Sequence, residues 1–256
     1  MSPETQPVKI SIDSLSMSYR TDTAEILALD NISLDVRENE FLCILGPSGC
    51  GKTTLLNIIA GFLQPTSGHV RIGDRPIIGP GPDRVVVFQE DAVFPWMTVE
   101  QNIGFSARVN GKSEGEIWKI ADRYIKLVHL QEFRSAWPKE LSGGMKKRVD
   151  LARGYAADPE VLLLDEPFGA LDIMTKENLQ EELHKIWLES PRTTILITHD
   201  IEEALFLGDR VFVMSRRPGQ IASIHEPGFP KPRDMSFKTE PDFVEFRARI
   251  RGELIR

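Results

Sequence analysis

The sequence predicts an α/β protein whose parallel sheet is organised around a phosphate-binding loop. Residues 46–53, Gly-Pro-Ser-Gly-Cys-Gly-Lys-Thr, match the pattern G-x-x-x-x-G-K-[ST]. An apolar run of strand length at 41–45 precedes the loop, and a helical pattern at 54–60 follows it and ends at Gly61. Apolar runs at 85–88 and 161–164 have the composition of strands buried on both faces of a sheet. A strand, a glycine loop and a helix N-terminus in this order form an anion site.

The composition fits one large globular domain, or a domain with a subdomain, in a chain of 256 residues. Hydrophobic residues make up 41% and charged residues 27% of the chain, which allows a sizeable core. The net charge of −7 argues against nucleic acid as the main partner, and two cysteines are too few for a disulfide framework or a zinc site. No basic start with an apolar run and no stretch near 18 apolar residues is present, so we expect a cytosolic protein that does not itself span a membrane.

The residue types of the loop explain why it should hold a nucleotide. Glycines at fixed spacing let the backbone curl so that successive N–H groups point at phosphate oxygens. Lys52 adds a cation at the β- and γ-phosphates, and the Thr53 hydroxyl is a ligand for Mg²⁺. A glycine-rich turn with a solvated lysine is the alternative, which the flanking strand and helix disfavour.

Apolar periodicity predicts an antiparallel sheet before the loop and a helical insertion after it. Residues 8, 10 and 12 alternate with polar residues, as do residues 32, 34 and 36. Positions 117, 120, 121, 124, 125 and 128 follow the spacing of one buried helix face, within an insertion at about 90–157. Residues 94–97, Phe-Pro-Trp-Met, open this insertion; they either pack within it or form a contact surface for another protein.

A second glycine motif, residues 141–145, precedes another helix. Ser142 can cap that helix and leave exposed N–H groups at its start. Lys146, Lys147 and Arg148 oppose the helix dipole in the first turns, which makes better sense if a bound anion offsets them. Two anion sites in one chain suggest that the second serves a different molecule.

Three polar side chains follow apolar strands, at the edge where α/β sheets bind ligands. Asp165 can hold Mg²⁺, and Glu166 beside it can accept a proton from attacking water. His199 follows the apolar run at 194–198, and we expect it beside the same cleft. The alternatives are a helix-capping acid pair and a structural histidine.

The C-terminal part of the chain changes in composition after residue 217. Apolar runs at 211–214 and 221–224 are predicted to close the sheet. Residues 218–256 form a Pro-rich tail with a short charged helix from about 242 to 255, which we expect to be a surface appendage.

Together these motifs resemble the ATPase subunit of an ATP-binding cassette (ABC) transporter. The resemblance runs from about Val8 to Met214 in that family's order and spacing. It implies an α/β P-loop NTPase fold with a RecA-like core, an N-terminal antiparallel β subdomain and an inserted helical subdomain, within an ATPase domain at 8–217. The cofactors that it implies are ATP and Mg²⁺.

The resemblance also implies roles for individual residues. Tyr19 would stack on adenine, and the remaining ATP-binding residues would be Gly46, Pro47, Ser48, Gly49, Cys50, Gly51, Lys52, Thr53 and Thr54. The catalytic residues would be Glu166 as general base, His199 at the γ-phosphate, Gln89 and Lys52, and Mg²⁺ would be held by Thr53, Gln89 and Asp165. The signature, which would close over the γ-phosphate of the opposite subunit's ATP, is Leu141, Ser142, Gly143, Gly144 and Met145, and Asp172 would contact that subunit.

Residues 88–96, residues 197–204 and the Pro-rich tail resemble the nitrate/sulfonate/taurine importer group. The implied partners are a second copy or a homologous ATPase subunit, membrane permease subunits that dock near residues 89–97 and, indirectly, an extracytoplasmic solute-binding protein. The implied location is the cytoplasmic face of the inner or plasma membrane. Lys147 stands where that family usually has Gln and Asp150 where it usually has Ala, so we expect hydrolysis or its control to differ, but not binding.

Two other classes of protein share part of this pattern. DNA-repair and chromosome-organising ATPases carry the same signature, but also long coiled-coil or zinc-bearing insertions, which this sequence lacks. A small-molecule kinase with the same loop gives no reason for the motif at 141–145 or for His199. We therefore predict the ATPase subunit of an importer for a small, anionic solute, with no nucleic-acid partner.

Overall fold

Two β-sheets and the helices around them make up the fold, in a computed structural model that describes residues 6–20 and 24–254. The strands are Val8–Arg20 (β1), Glu25–Arg37 (β2), Phe41–Leu45 (β3), Ser67–Ile72 (β4), Arg75–Pro76 (β5), Arg84–Val87 (β6), Val161–Asp165 (β7), Thr193–Thr198 (β8), Arg210–Met214 (β9) and Ile221–His225 (β10). The α-helices are Lys52–Ala60 (α1), Val99–Ile103 (α2), Phe105–Val109 (α3), Glu114–Leu127 (α4), Gly143–Ala156 (α5), Ile173–Glu189 (α6), Ile201–Leu207 (α7) and Pro241–Leu254 (α8).

The larger sheet has the order β10-β9-β3-β8-β7-β6, in which only β10 is antiparallel to its neighbour. Its central strands β3, β7 and β8 are buried along their whole length, as their apolar composition requires. Leu45 pairs with Thr198, and Asp165 pairs with Ile197, so these three strands end at one edge of the sheet. The phosphate loop and the three predicted polar side chains, Asp165, Glu166 and His199, lie at this edge.

One strand differs from the prediction. The run at 85–88 was expected to be buried on both faces, but β6 lies at the edge of the sheet, and Val85 and Val86 are only partly buried. Phe88 lies beyond the strand, is exposed, and stacks on Phe62 with ring centroids 6.2 Å apart. An apolar run does not reveal whether a strand has neighbours on both sides, and the prediction was wrong for this reason.

The smaller sheet, β2-β1-β4-β5, is antiparallel, as the alternation of apolar residues predicts. Ile10 pairs with Val36 and Ile12 with Leu34, and all four side chains are buried. They share one core with the apolar face of α1 and with one face of the larger sheet. The glycine loop at the start of α1 is thereby held between the two sheets.

The helical insertion comprises α2 to α5, and the apolar face predicted for α4 is confirmed. Ile117, Ala121, Tyr124 and Ile125 are buried, together with Val128 at the end of the helix. Capping boxes at Thr98–Gln101 and Ser113–Glu116 fix the starts of α2 and α4. This insertion packs into a second core, which also contains α6 and α7.

The C-terminal tail is part of the core, and the prediction of a surface appendage was wrong. Strand β10 pairs with β9, as predicted for the run at 221–224, so the sheet continues past the predicted domain boundary at 217/218 as far as His225. In α8, Phe243 and Ile250 are fully buried, and the aromatic rings of Phe229 and Phe237 pack against Phe243. Among the described residues, no helix is long and apolar enough to cross a membrane.

Candidate functional site

The phosphate loop has the backbone conformation that its glycines allow. Gly49 and Gly51 have φ values of 76° and 108°, in the left-handed region that side chains disfavour. A Cβ atom at Gly51 would lie 2.7 Å from Leu29 Cδ2, so the position is also closed to a side chain by contact. The buried Lys52 folds back on the loop, where its Nζ donates to the carbonyls of Gly46 at 2.8 Å and Pro47 at 3.1 Å.

The two carboxylates and His199 meet at the end of β7 and β8. Glu166 Oε2 accepts a hydrogen bond from His199 Nδ1 at 2.8 Å, and its Oε1 lies 3.7 Å from Lys52 Nζ. Glu166 has a φ of 41°, and its N–H donates to the Ile197 carbonyl. Such backbone strain in a residue other than glycine persists only where surrounding contacts enforce it, and it is concentrated at functional sites.

Asp165 and Thr53 supply oxygen atoms suited to a hard cation. The Thr53 hydroxyl donates to Asp165 Oδ1 across a long contact of 3.5 Å. Burial raises the pKa of Asp165, and the neighbouring charge of Glu166 raises it further. A divalent cation would offset this repulsion. No group of three or more His, Cys, Asp or Glu side chains within residues 6–20 and 24–254 could hold a metal, so phosphate and water would have to supply the remaining ligands.

A cleft of about 380 Å³ lies beside the loop and is lined by several of the residues predicted to bind nucleotide, but not by Cys50, Asp165 or His199. The Tyr19 hydroxyl lies 3.2 Å from Thr54 Oγ1 beside the cleft. Its other lining residues are Ala28, Ser48, Gly49, Gly51, Lys52, Thr53, Gln89, Glu166 and Arg217. Ala28 and Arg217 were missed by sequence reasoning because neither belongs to a motif.

Gln89 reaches this cleft from the edge strand β6. The Gln89 side chain approaches Gly169, which lies next to Glu166: a Cβ atom built on Gly169 would be 3.4 Å from Gln89 Nε2. The Gln89 main-chain carbonyl accepts a hydrogen bond from the buried Lys147, which also binds the Phe88 carbonyl. The segment that carries Gln89 is therefore attached to α5.

The signature residues lie apart from the cleft: in the part of the chain that the structure describes, none of residues 141–145 lines it. Ser142 caps α5 by accepting a hydrogen bond from the Met145 N–H at 3.3 Å. Gly143 has open space where a Cβ would be, whereas a Cβ at Gly144 would lie 2.5 Å from Thr175 Cγ2. Ser142 and Gly143 are exposed, so the start of α5 is open to another molecule.

Two of the three cations in the first turns of α5 find partners within the chain. Lys147 binds main-chain carbonyls, and Arg148 pairs with Glu182 at 2.8 Å. The argument that a bound anion must offset these charges is therefore not needed for Lys147 or Arg148. The exposed cap, rather than the charge, is the feature that indicates a ligand.

Asp172 caps α6 by accepting a hydrogen bond from the Thr175 N–H at 3.1 Å. The two residues that follow it are large, apolar and exposed: Ile173 is 75% and Met174 68% exposed. Neighbouring apolar side chains of this kind mark a contact surface. Asp172 thus has a role within the chain and lies beside a surface on which another chain can pack.

Comparison with known proteins places these features in one family. Residues 29–169 match the model of the ABC transporter family. The nitrate import ATP-binding protein of Synechocystis sp. is 45% identical over 94% of this chain and 93% of its own, and the bicarbonate transport ATP-binding protein of the same organism is 46% identical over 93% and 86%. A dimeric ATP-binding cassette, solved in a post-hydrolysis state with ADP and Pi, is 31% identical and covers 85% of this chain and 98% of its own, with a TM-score of 0.74.

Proposed function

Because the chain belongs to the ABC transporter family, as one of its ATP-hydrolysing subunits, we propose that it powers the uptake of a small oxyanion through separate membrane subunits. The convergence of Lys52, Glu166 and His199 at one edge of the sheet is the observation that supports hydrolysis at this site. The relatives found give no support to a DNA-repair function.

In the proposed reaction, water attacks the γ-phosphate in line with the bond to the leaving ADP. Glu166 takes the proton from that water, since its carboxylate lies beside the cleft and is held by His199 Nδ1. Lys52 offsets the charge of the phosphate oxygens, and Gln89 orients the water. Mg²⁺, held by Thr53 and Asp165 with Gln89 nearby, would neutralise charge on the β- and γ-phosphates.

The signature is proposed to act on the ATP of a second subunit. The exposed cap at Ser142 and the exposed side chains of Ile173 and Met174 beside Asp172 are surfaces that a partner would cover. In a two-fold symmetric pair, each composite site takes its phosphate loop from one chain and its signature from the other. The dimeric state of the solved cassette supports this arrangement.

The membrane subunits are proposed to dock on the segment from Gln89 to Met97. Phe94 packs against Phe105, with ring centroids 4.8 Å apart, so it belongs to the insertion. Trp96 stacks on Phe94 but is 67% exposed, which leaves its indole available for a partner. Docking here would hold the protein at the cytoplasmic face of the membrane, with an extracytoplasmic binding protein delivering the solute.

The solute class is proposed from the two named relatives. Nitrate and bicarbonate, which their names give, are small trigonal oxyanions with a single negative charge. The ATPase does not contact the solute, so the proposal concerns the transporter in which this subunit works.

The test is transport by the whole assembly. The protein is purified with the membrane subunits that co-purify with it, reconstituted in proteoliposomes, and assayed for ATP hydrolysis with nitrate, bicarbonate, taurine or maltose and the cognate binding protein. We expect stimulation by an oxyanion and its loss in Trp96→Asp, with hydrolysis by the separate subunit retained. Stimulation by maltose alone would contradict the proposed solute class.

A further inference from the structure

Three side chains on one face of α5 hold the segment that follows β6. Lys147, Asp150 and Arg153 are spaced three residues apart, so they lie along one side of the helix. We propose that they form a clamp, the α5 clamp, that fixes residues 88–94 to the signature helix, and that Lys147 is a positioning residue for Gln89 in ATP hydrolysis. This inference rests on the proposed roles of Gln89 and the signature.

The contacts of Lys147 carry most of the argument. Its Nζ donates to the Phe88 carbonyl at 2.5 Å and to the Gln89 carbonyl at 3.0 Å, and the side chain is 3% exposed. Both carbonyls lie beyond Val87, the last residue of β6 that pairs with β7. A buried ammonium is tolerated only where acceptors satisfy it. Lys147 and these two carbonyls therefore satisfy each other's hydrogen-bonding requirement. They do so at Gln89, whose side chain lines the cleft.

Asp150 and Arg153 extend the clamp along the same segment. Asp150, which is also buried, receives the Arg153 Nη2 hydrogen bond at 2.5 Å and so holds that guanidinium in place. The Arg153 guanidinium lies 4.6 Å from the centre of the Phe94 ring, a distance at which a cation and an aromatic face attract. Lys147 thus contacts the start of the 88–94 segment, and Arg153, held by Asp150, contacts its end.

A second anchor completes the attachment to the helical insertion. The fully buried Asn102 of α2 accepts from the Phe94 N–H at 2.8 Å and donates to the carbonyls of Phe94 and Met97. The segment is thereby bound to α5 at its start and to α2 at its end. The Gln89 side chain, by contrast, reaches back toward Gly169 and Glu166.

This arrangement has a mechanical consequence. A displacement of α5, whose first residues form the signature, moves the Gln89 main chain with it. A displacement of Trp96 is likewise transmitted to the Gln89 main chain through the contacts of the same segment. The α5 clamp therefore makes the position of Gln89 in the cleft depend on both the signature and the docking surface.

The test compares Lys147→Met, which removes the donor, with Lys147→Gln, which keeps a shorter, neutral donor. Lys119→Met, an exposed lysine of the same insertion, is the matched control. We measure kcat and KM for ATP, thermal unfolding, and hydrogen exchange of the peptide spanning residues 88–97. Lys147→Met should lower kcat by about 10- to 100-fold, as expected when a catalytic group is displaced by about 1 Å. Its KM should stay within about twofold, because the phosphate loop is untouched.

Exchange of the 88–97 peptide should rise in Lys147→Met, rise less in Lys147→Gln and stay unchanged in Lys119→Met. Unchanged kcat with unchanged exchange in Lys147→Met would overturn the clamp, and so would a loss of kcat with a matching loss of ATP binding. If Lys147→Met does not fold, the same measurements of kcat, KM and hydrogen exchange are made on Arg153→Met, at the other end of the clamp, with the same expected changes. The exchange readout needs no turnover, so a failure of the proposed ATPase function would be recognised separately in the unsubstituted protein.

Discussion

The edge of the sheet that carries the phosphate loop, called here the nucleotide edge, and the C-terminal tail both contain a buried cation, Lys52 and Arg233, but they surround it differently. At the nucleotide edge, Glu166 contacts both Lys52 and His199 beside an open cleft, and Lys52 also donates to two carbonyls of the phosphate loop. In the tail, the Arg233 guanidinium donates to five main-chain carbonyls, those of Leu205, Phe206, Gly208, Phe229 and Pro230. Lys52 lines the cleft, so its ammonium can be redirected to a ligand, whereas the Arg233 guanidinium, saturated by carbonyls away from the cleft, is committed to the fold.

Helix α7 connects these two regions. It begins two residues after His199, where Asp200 caps its N-terminus, and Arg233 binds the carbonyls at its C-terminal end. Burial lowers the pKa of Arg233 to about 10, so the side chain remains a cation at neutral pH. The comparison therefore predicts that substitutions at one end of α7 change turnover and that substitutions at the other change stability.

The largest effect is expected for Glu166→Gln. The amide cannot take the proton from water, so kcat should fall by about 10²- to 10⁴-fold. ATP affinity and the midpoint of thermal unfolding should stay close to those of the unsubstituted protein, because the side chain lies at the cleft. Glu189→Gln, at an exposed position of α6, controls for the chemical change. Steady-state hydrolysis that survives in Glu166→Gln would remove this residue from the mechanism.

The nucleotide edge could be predicted from the sequence because its signals are local. The loop at 46–53 and the pairs Asp165–Glu166 and His199–Asp200 each follow an apolar strand directly, and parallel strands bring such positions to one edge. Arg217 could not be found in this way. It lines the cleft through the path of the chain after β9, and no pattern of neighbouring residues encodes that path.

The burial of the tail and of strand β6 could not be predicted, since it depends on what packs against them. Prolines in the tail suggest an extended surface segment, but the decisive contacts join Arg233 to residues 205–208 and Phe243 to the core. The Val-rich run of β6 indicates a strand but carries no information about its place at the edge of the sheet. Local patterns identified the elements, and long-range packing decided their surroundings.

The second-largest effect tests whether the nucleotide edge is completed by another chain. Lys52→Ala and Ser142→Arg should each abolish nucleotide trapping alone, the first at the phosphate loop and the second at the exposed signature cap. In a symmetric pair of the two variants, one composite site carries both lesions and the other carries none. After random exchange of equal amounts, about half of the pairs are mixed, and each mixed pair has one intact site out of two. Mixing should therefore restore trapping to about a quarter of that of the unsubstituted protein. If the variants exchange subunits and the mixture still traps no nucleotide, the composite site is wrong.

A smaller effect, on stability alone, is expected for Arg233→Met. Several buried carbonyls lose their donor, which should lower the free energy of unfolding by about 3 kcal/mol. Turnover per folded molecule should not change. Arg249→Met is the control, since that guanidinium is exposed on the same tail. A fall in kcat of the folded Arg233→Met protein would contradict the separation of stability from turnover, because it would show that α7 transmits a change in the tail to His199.

The smallest effect concerns His184, whose Nε2 accepts the Arg233 N–H at 3.1 Å in the buried tail interface. Burial, with the charges of Lys231 and Arg233, lowers the pKa of His184 from 6.5 to about 4, against an opposing contribution from Asp209. Between pH 6.5 and pH 4, His184 therefore binds a proton in the unfolded chain but not in the folded chain. The stability present above pH 6.5 is lost across this window, by about 2 kcal/mol between pH 7 and pH 5.

Denaturant unfolding at both pH values should show this loss reduced in His184→Gln, whose amide oxygen accepts the same hydrogen bond without titrating. The loss should be unreduced in His69→Gln, which removes an exposed imidazole. An equal loss in His184→Gln and the unsubstituted protein would mean that the tail interface does not exclude the proton, and that its charges are less committed to the fold than the contacts of Arg233 imply.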